Sequence, residues 1–152
     1  MNGSFANFLI VAVVLYAFLK FAYPRLKRMA RGKDVAYLPV ETLAKQMAEK
    51  RDMLLIDIRT PQEFYNMFGH IDTAINLPFE TFAIRLNETA DRLVGFKQTP
   101  VVVIGLRDEN AVFKAYKLLK RKGFEHAAIL DNGVSQWLRR GFPTVERNVR
   151  KY

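Results

Sequence analysis

Between Phe5 and Leu19 the chain reads FANFLIVAVVLYAFL without one charged side chain, and Phe21, Ala22 and Tyr23 prolong the run past Lys20. Leu9 to Leu19 are apolar all round, so a helix built from them has no polar face to offer water. At about 1.5 Å per residue, Phe5–Tyr23 would extend roughly 28 Å, close to the bilayer hydrocarbon thickness of about 30 Å. This predicts a single transmembrane helix over 5–23, after a short extracytoplasmic tail at 1–4. Lys20 near one end would run its stem along the apolar zone and lift its ammonium to the headgroups, with Tyr23 at the interface. A cleavable secretory signal places positive charge before its apolar core, and here the order is reversed.

Charge then sets orientation. The 152 residues carry 24 Lys and Arg against 15 Asp and Glu, a net +9. Residues 1–33 contribute +6 of it through Lys20, Arg25, Lys27, Arg28, Arg31 and Lys33, with no acidic residue among them. A basic flank is retained in the cytoplasm, so the domain that follows is expected on the cytoplasmic side of a cell inner (plasma) membrane, with the N-terminus outside. The same basic linker, residues 24–34, reads equally as a contact with anionic headgroups, at about 1 kcal/mol per residue near the surface, or as a topology signal alone.

After Asp34 short apolar runs alternate with amphipathic stretches, the pattern of an α/β domain with a parallel sheet and crossover helices. Strands are predicted at Ala36–Leu38, Leu54–Ile58, Ala74–Asn76, Val101–Gly105 and Ala127–Leu130. Helices are predicted over Glu41–Lys50, with Leu43, Met47 and the Lys50 stem facing the core, from a Thr60 N-cap and Pro61, over Thr81–Leu93, and over Asn110–Arg121. In the last, Val112, Ala115, Leu118 and Leu119 are expected to face inward, and Gly123 to end it. Lys120-Arg121-Lys122 reads as a solvated helix end where cations meet the negative pole, and nucleic acid is not an expected partner.

Four landmarks within this stretch resemble the rhodanese family: Leu55-Ile56-Asp57-Ile58-Arg59-Thr60-Pro61-Gln62-Glu63-Phe64, Gly69-His70-Ile71-Asp72-Thr73-Ala74-Ile75-Asn76-Leu77-Pro78, the strand Pro100–Ile104, and Asp131-Asn132-Gly133-Val134-Ser135-Gln136-Trp137 with Gly141-Phe142-Pro143. The resemblance implies a rhodanese-like domain over 35–148, with a five-stranded parallel sheet flanked by helices, before a tail at 149–152. In active members, the resemblance implies, a loop after the fourth strand begins with a cysteine whose thiolate carries sulfur in a cradle of backbone N–H groups.

The chain contains no cysteine at all. The corresponding loop is Gly105-Leu106-Arg107-Asp108-Glu109-Asn110. Counting from the strand puts Gly105 at the nucleophile position, and counting back from Gly123 puts Leu106 there. Asp108 and Glu109 add carboxylates where an anion would be received; two like charges about 4 Å apart cost roughly 4 kcal/mol at a dielectric of about 20. Sulfur transfer therefore lacks its covalent step, and no catalytic residue is assigned.

Other chemistry is weakly encoded. Ser135 has no evident His and acid partners, His70 and His126 read as structural hydrogen-bonding residues, and Asp57 with Arg59 as a local pair. Trp137 reads as packing under the closing helix. Two histidines without cysteine make no metal site, and neither GxxxxGK[ST] nor GxGxxG occurs, so no cofactor is expected. The leading expectation is a non-catalytic binding, assembly or accessory subunit of a membrane complex, with other membrane proteins and the lipid bilayer as partners. The second is a sensor of a small anion or metabolite through the degenerate loop and Arg107. A residual enzyme with non-cysteine chemistry is a remote third.

Overall fold

Pro24 has no N–H to offer the carbonyl four residues back, and the helix containing it changes its winding just before it. In the computed structural model, α1 spans Asn2–Ala17, one π turn spans Phe18–Ala22, and α2 spans Tyr23–Ala30. The Tyr23 N–H reaches the Phe18 carbonyl five residues back, the bond that defines such a turn. The structure describes residues 2–30, 34–89 and 94–145, with the backbone alone for residues 2–5, 24 and 27.

The expected single helix over 5–23 is thus divided. With 16 residues, α1 is about 24 Å long, and no helix among the described residues is long and apolar enough to cross a membrane. From Phe8 to Phe21 its large apolar side chains are exposed, Phe8 to 71%. The Lys20 ammonium lies 3.2 Å from the Tyr16 hydroxyl and over the Tyr16 and Phe21 rings. Arg25 donates to the Phe21 carbonyl at 3.4 Å, and Arg28 is half-buried. The Lys27 side chain, Arg31 and Lys33 lie outside the described residues.

The chain divides into one unit ending at Val35 and another beginning at Ala36. The second unit is built on a five-stranded parallel sheet in the order β1-β5-β4-β2-β3. Its strands are β1 (Tyr37–Leu38), β2 (Leu54–Asp57), β3 (Ile75–Asn76), β4 (Val101–Ile104) and β5 (Ala127–Leu130), each within one residue of the predicted bounds. The two central neighbours, β2 and β4, run in register from Leu54 beside Val101 to Asp57 beside Ile104. All four residues of β4 are buried, as a strand covered on both faces requires.

Helices α3 (Val40–Ala48), α4 (Pro61–Phe64), α5 (Phe79–Glu88), α6 (Asn110–Arg121) and α7 (Gly133–Arg139) connect and flank the strands. On one face Leu55, Val102, Ile104 and Leu130 of the sheet meet Val40 and Leu43 of α3, Val134 and Trp137 of α7, and Ile71. Alternate strand residues face the opposite way toward α5 and α6, as the two-residue period of a strand demands.

Several expectations are corrected. Lys50 lies beyond α3, exposed and at φ +54°, because the helix ends two residues earlier and the chain must turn back toward β2. In α6 the inward stripe is Val112, Ala115, Tyr116 and Leu119, while Leu118 is half-buried. Tyr116 is admitted because its hydroxyl accepts the Ala36 N–H at 3.3 Å. Helix α5 begins at Phe79, directly after Pro78, rather than at Thr81. The predicted end of that helix at Leu93 lies outside the described residues. Gly123 follows the last turn of α6 at φ +91°, the left-handed geometry expected of it.

Candidate functional site

Parallel strands point their carboxyl ends the same way, and ligand sites of such sheets gather there. A cavity of about 180 Å³ opens beyond the ends of β2 and β4, lined by Ile58, Arg59, Thr60, Glu63, Pro78, Phe79, Glu80, Gly105, Leu106, Glu109 and Ala111. Backbone bonds bring its walls together. Ile58 N–H donates to the Ile104 carbonyl, Leu77 N–H to Asp57, and Phe79 N–H to Ile58, at 2.9 to 3.0 Å. Gly105 and Leu106 of the predicted loop therefore do sit in a cavity, together with Glu109.

The two candidate nucleophile positions, Gly105 and Leu106, differ in the space around them. Gly105 is buried directly after β4, and a Cβ placed on it would come within 2.3 Å of Val112 Cγ2. No side chain fits there unless Val112 moves. Leu106 is 37% exposed and is the first loop side chain to reach the cavity.

The loop is held from behind by α7. Val134 and Ser135 N–H groups, in the first turn of α7, donate to the carbonyls of Gly105 and Leu106 at 2.9 and 3.0 Å. Such close approach of two backbones needs Gly133, whose missing Cβ would stand 2.1 Å from the Gly105 oxygen. Farther along, the Glu109 N–H turns back to the Arg107 carbonyl at 2.9 Å, so one donor of the loop is spent on a three-residue turn.

The charges do not form an anion site. Arg59 is buried with Nε and Nη2 on the Asp57 carboxylate, Nη2 also on the Gly69 carbonyl and Nη1 on the Glu63 carbonyl. Asp57 and Arg59 thus form the local pair read from the sequence, and the guanidinium is committed to the fold. Arg107 is exposed and donates to Ser135 Oγ at 3.4 Å, outside the cavity lining. Asp108 and Asn110 are likewise outside it, half-buried and exposed respectively.

Three carboxylates line the space instead. Glu63 is tied into a capping box with Thr60, accepting from Thr60 N–H at 3.0 Å while Thr60 Oγ accepts from Glu63 N–H. Glu80 lies in the first turn of α5, and Glu109 is the N-cap of α6. Each helix N-terminus therefore already has a carboxylate of this chain beside its positive pole. Sequence reading missed Glu63, Phe79 and Glu80 as cavity residues. The signal available was Pro78, which closes the Gly69–Pro78 motif and marks a helix start at Phe79; its place beside the end of β2 comes from the Phe79 bond to Ile58.

The other singled-out residues serve the fold. His70 stacks on Phe64 at 3.8 Å between centroids, with Nδ1 3.2 Å from the Phe64 carbonyl. His126 is exposed ahead of β5 and takes part through its carbonyl, which accepts Val101 N–H. Trp137 is buried, its Nε1 donating to the Pro143 carbonyl at 2.8 Å. Among the described residues no group of three His, Cys, Asp or Glu is placed to hold a metal ion.

Residues 40–140 match the model of the rhodanese-like domain family. A sulfurtransferase of Allochromatium vinosum is 32% identical over 105 residues, 69% of this chain and 90% of that protein. A tRNA uridine(34) hydroxylase of Buchnera aphidicola is 30% identical over 96 residues, 61% of this chain but only 29% of the hydroxylase. Among solved structures, the polysulfide-sulfur transferase homodimer of Wolinella succinogenes is similar at a TM-score of 0.61 and 25% identity, covering 90% of this chain and 97% of that one.

Proposed function

This chain belongs to the rhodanese-like domain family, and from that premise we propose that it is a non-catalytic member, a binding or accessory subunit held at the cytoplasmic face of a membrane by its N-terminal helical segment. The observation that carries the first half is the cavity at the end of β4. It has no cysteine, no room for a side chain at Gly105 without displacing Val112, an apolar Leu106 in the next place, and carboxylates from Glu63, Glu80 and Glu109 in its lining. The sulfurtransferase activity of the Allochromatium relative is not carried over, because a persulfide needs a thiolate to form on. The hydroxylase name belongs to proteins of which this chain matches less than a third.

The anchor is supported by surface chemistry. The helical residues 2–30 follow one another through the π turn, and the exposed side chains from Phe8 to Leu19 form an apolar surface on every side. Such a surface needs a cover, and hydrocarbon fits one without a polar stripe. A π turn keeps backbone hydrogen bonds inside the segment, as the bilayer demands, so the division of the helix is compatible with spanning. The basic residues from Lys20 onward, with no acidic residue among the first 33, support a cytoplasmic placement of that end.

The anion-sensor reading has less support, because Arg59 is engaged by Asp57, Arg107 by Ser135, and the cavity is lined by carboxylates. The test is flotation of the full chain with neutral phosphatidylcholine vesicles, followed by alkaline carbonate extraction and by affinity capture from native membranes in mild detergent. Retention through carbonate, with membrane proteins captured in fixed ratio, is expected. Release by carbonate overturns the anchor, and measurable transfer of sulfur from thiosulfate to cyanide overturns the non-catalytic assignment.

A further inference from the structure

We propose that the solvent face of α6 is a second membrane contact, a strip that docks on anionic phospholipid headgroups and sets which way the domain faces the bilayer. The inference rests on the anchored reading above. Lys114, Lys117 and Arg121 are all exposed, and their spacing places them on one side of the helix, opposite the buried Val112, Ala115 and Leu119. Lys120 and Lys122 flank the strip, and no acidic residue occurs from Asn110 to Gly123.

None of these five cations pairs with a carboxylate among the described residues. Lys120 donates to the Glu125 carbonyl, and Lys117 lies over the Phe113 ring at 5.0 Å. The helix dipole accounts for Lys120, Arg121 and Lys122 in the last turn, because its pull on cations fades within one turn. It does not account for Lys114 and Lys117.

The distribution of charge makes the strip directional. Residues 34–152 carry a net +3, of which residues 110–122 contribute +5, so the remainder stands at −2. An anionic surface therefore attracts α6 in preference to the nearly balanced remainder of the domain. A domain covalently linked to a membrane-held segment meets the headgroups at high effective concentration. A single-stranded nucleic acid is a poorer occupant, since it asks for aromatic platforms among the cations, and Phe113 is half-buried under Lys117.

The experiment uses the full chain in vesicles of phosphatidylcholine alone and with about a third phosphatidylglycerol, with lysine acylation read by mass spectrometry. Labelling of Lys117 is expected to fall about fivefold on the anionic vesicles, the factor that one well-placed basic residue contributes, and to recover in about 0.5 M salt. Lys45 on α3, whose side chain is 76% exposed, should be unchanged. The K114E/R121E variant, altered only at exposed positions, should lose the protection of Lys117. Equal labelling of Lys117 on both vesicles by a chain that floats overturns the strip while leaving the anchor intact. Equal protection of Lys45 overturns the orientation, and protection of Lys117 by added RNA without lipid assigns the strip to nucleic acid instead. A chain that floats with neither vesicle removes the anchor itself, and the proposal with it.

Discussion

Arg59 grips Asp57 through Nε and Nη2, at 3.0 and 2.7 Å, with both side chains almost wholly inaccessible to water. The same guanidinium ties the end of β2 to the Glu63 and Gly69 carbonyls, and Asn76 Nδ2 closes the arrangement on the Asp57 and Arg59 carbonyls. The ion pair thus joins β2 to α4 and the Gly69-His70-Ile71 turn, Asn76 adds β3 through the backbone, and together they fix the wall of the cavity.

Removing either partner leaves a buried charge without compensation. Asp57→Ala and Arg59→Ala should each lower stability by about 3–5 kcal/mol. The double variant should cost less than the two combined, with a coupling of about 1–3 kcal/mol in a double-mutant cycle. Urea unfolding followed by circular dichroism measures all three, and strict additivity would show that the pair is not coupled.

Restoring a cysteine should not restore sulfur transfer. Gly105→Cys must displace Val112, an overpacking that costs about 1–3 kcal/mol. Leu106→Cys fits, but its thiolate would face a cavity lined by Glu63, Glu80 and Glu109, and nearby carboxylates disfavour a second negative charge. Because the natural chain has no cysteine, iodoacetamide capture reads this one thiol alone. Capture should be slow in L106C and faster when Glu80→Gln and Glu109→Gln are added. Rapid capture in L106C itself, or turnover of thiosulfate, would contradict this account of the loop.

Trp137 anchors the closing helix by its indole N–H on Pro143 and its ring 4.8 Å from Phe142. Trp137→Phe should cost about 1–2 kcal/mol, chiefly the lost hydrogen bond and the unsatisfied Pro143 carbonyl. Trp137→Ala should cost about 3–5 kcal/mol through the cavity it leaves. Chemical denaturation of both variants checks the order.

Local signals in the sequence carried most of the fold. Thr60-Pro61-Gln62-Glu63 announced a helix start, and the structure has the complete capping box there. Apolar runs of four or five residues placed the three inner strands β2, β4 and β5, because strands covered on both sides leave little choice of residue, while the edge strands β1 and β3 were read from three-residue stretches. What escaped depended on distant partners. Tyr116 joins the core in preference to Leu118 because Ala36, 80 residues earlier, supplies a donor for its hydroxyl. Glu80 lines the cavity because Phe79 bonds to Ile58 across the sheet edge, a relation that spacing does not encode. The tight space at Gly105 comes from one methyl group of Val112, another contact that spacing does not encode. The π turn had a local cause in Pro24, which went unread because the apolar run was counted by length alone.

Three glycines in this domain separate two costs that usually come together. Gly95 has nothing within 4 Å of an added Cβ and no positive φ. Gly141 has open space but φ +76°, and Gly133 has φ +54° with the Gly105 carbonyl in the way. Gly95→Ala should therefore be neutral or slightly stabilising, through the lower entropy of the unfolded chain. Gly141→Ala should cost about 1–2 kcal/mol for the left-handed backbone alone. Gly133→Ala adds overpacking of about 1–3 kcal/mol to that strain, because the obstacle is backbone and cannot rotate away. Its effect should also be visible before unfolding: combined with Leu106→Cys, it should expose that thiol to faster iodoacetamide capture under conditions where circular dichroism remains native. Equal losses in G133A and G141A, with no change in thiol capture, would mean that α7 does not hold the loop through this contact.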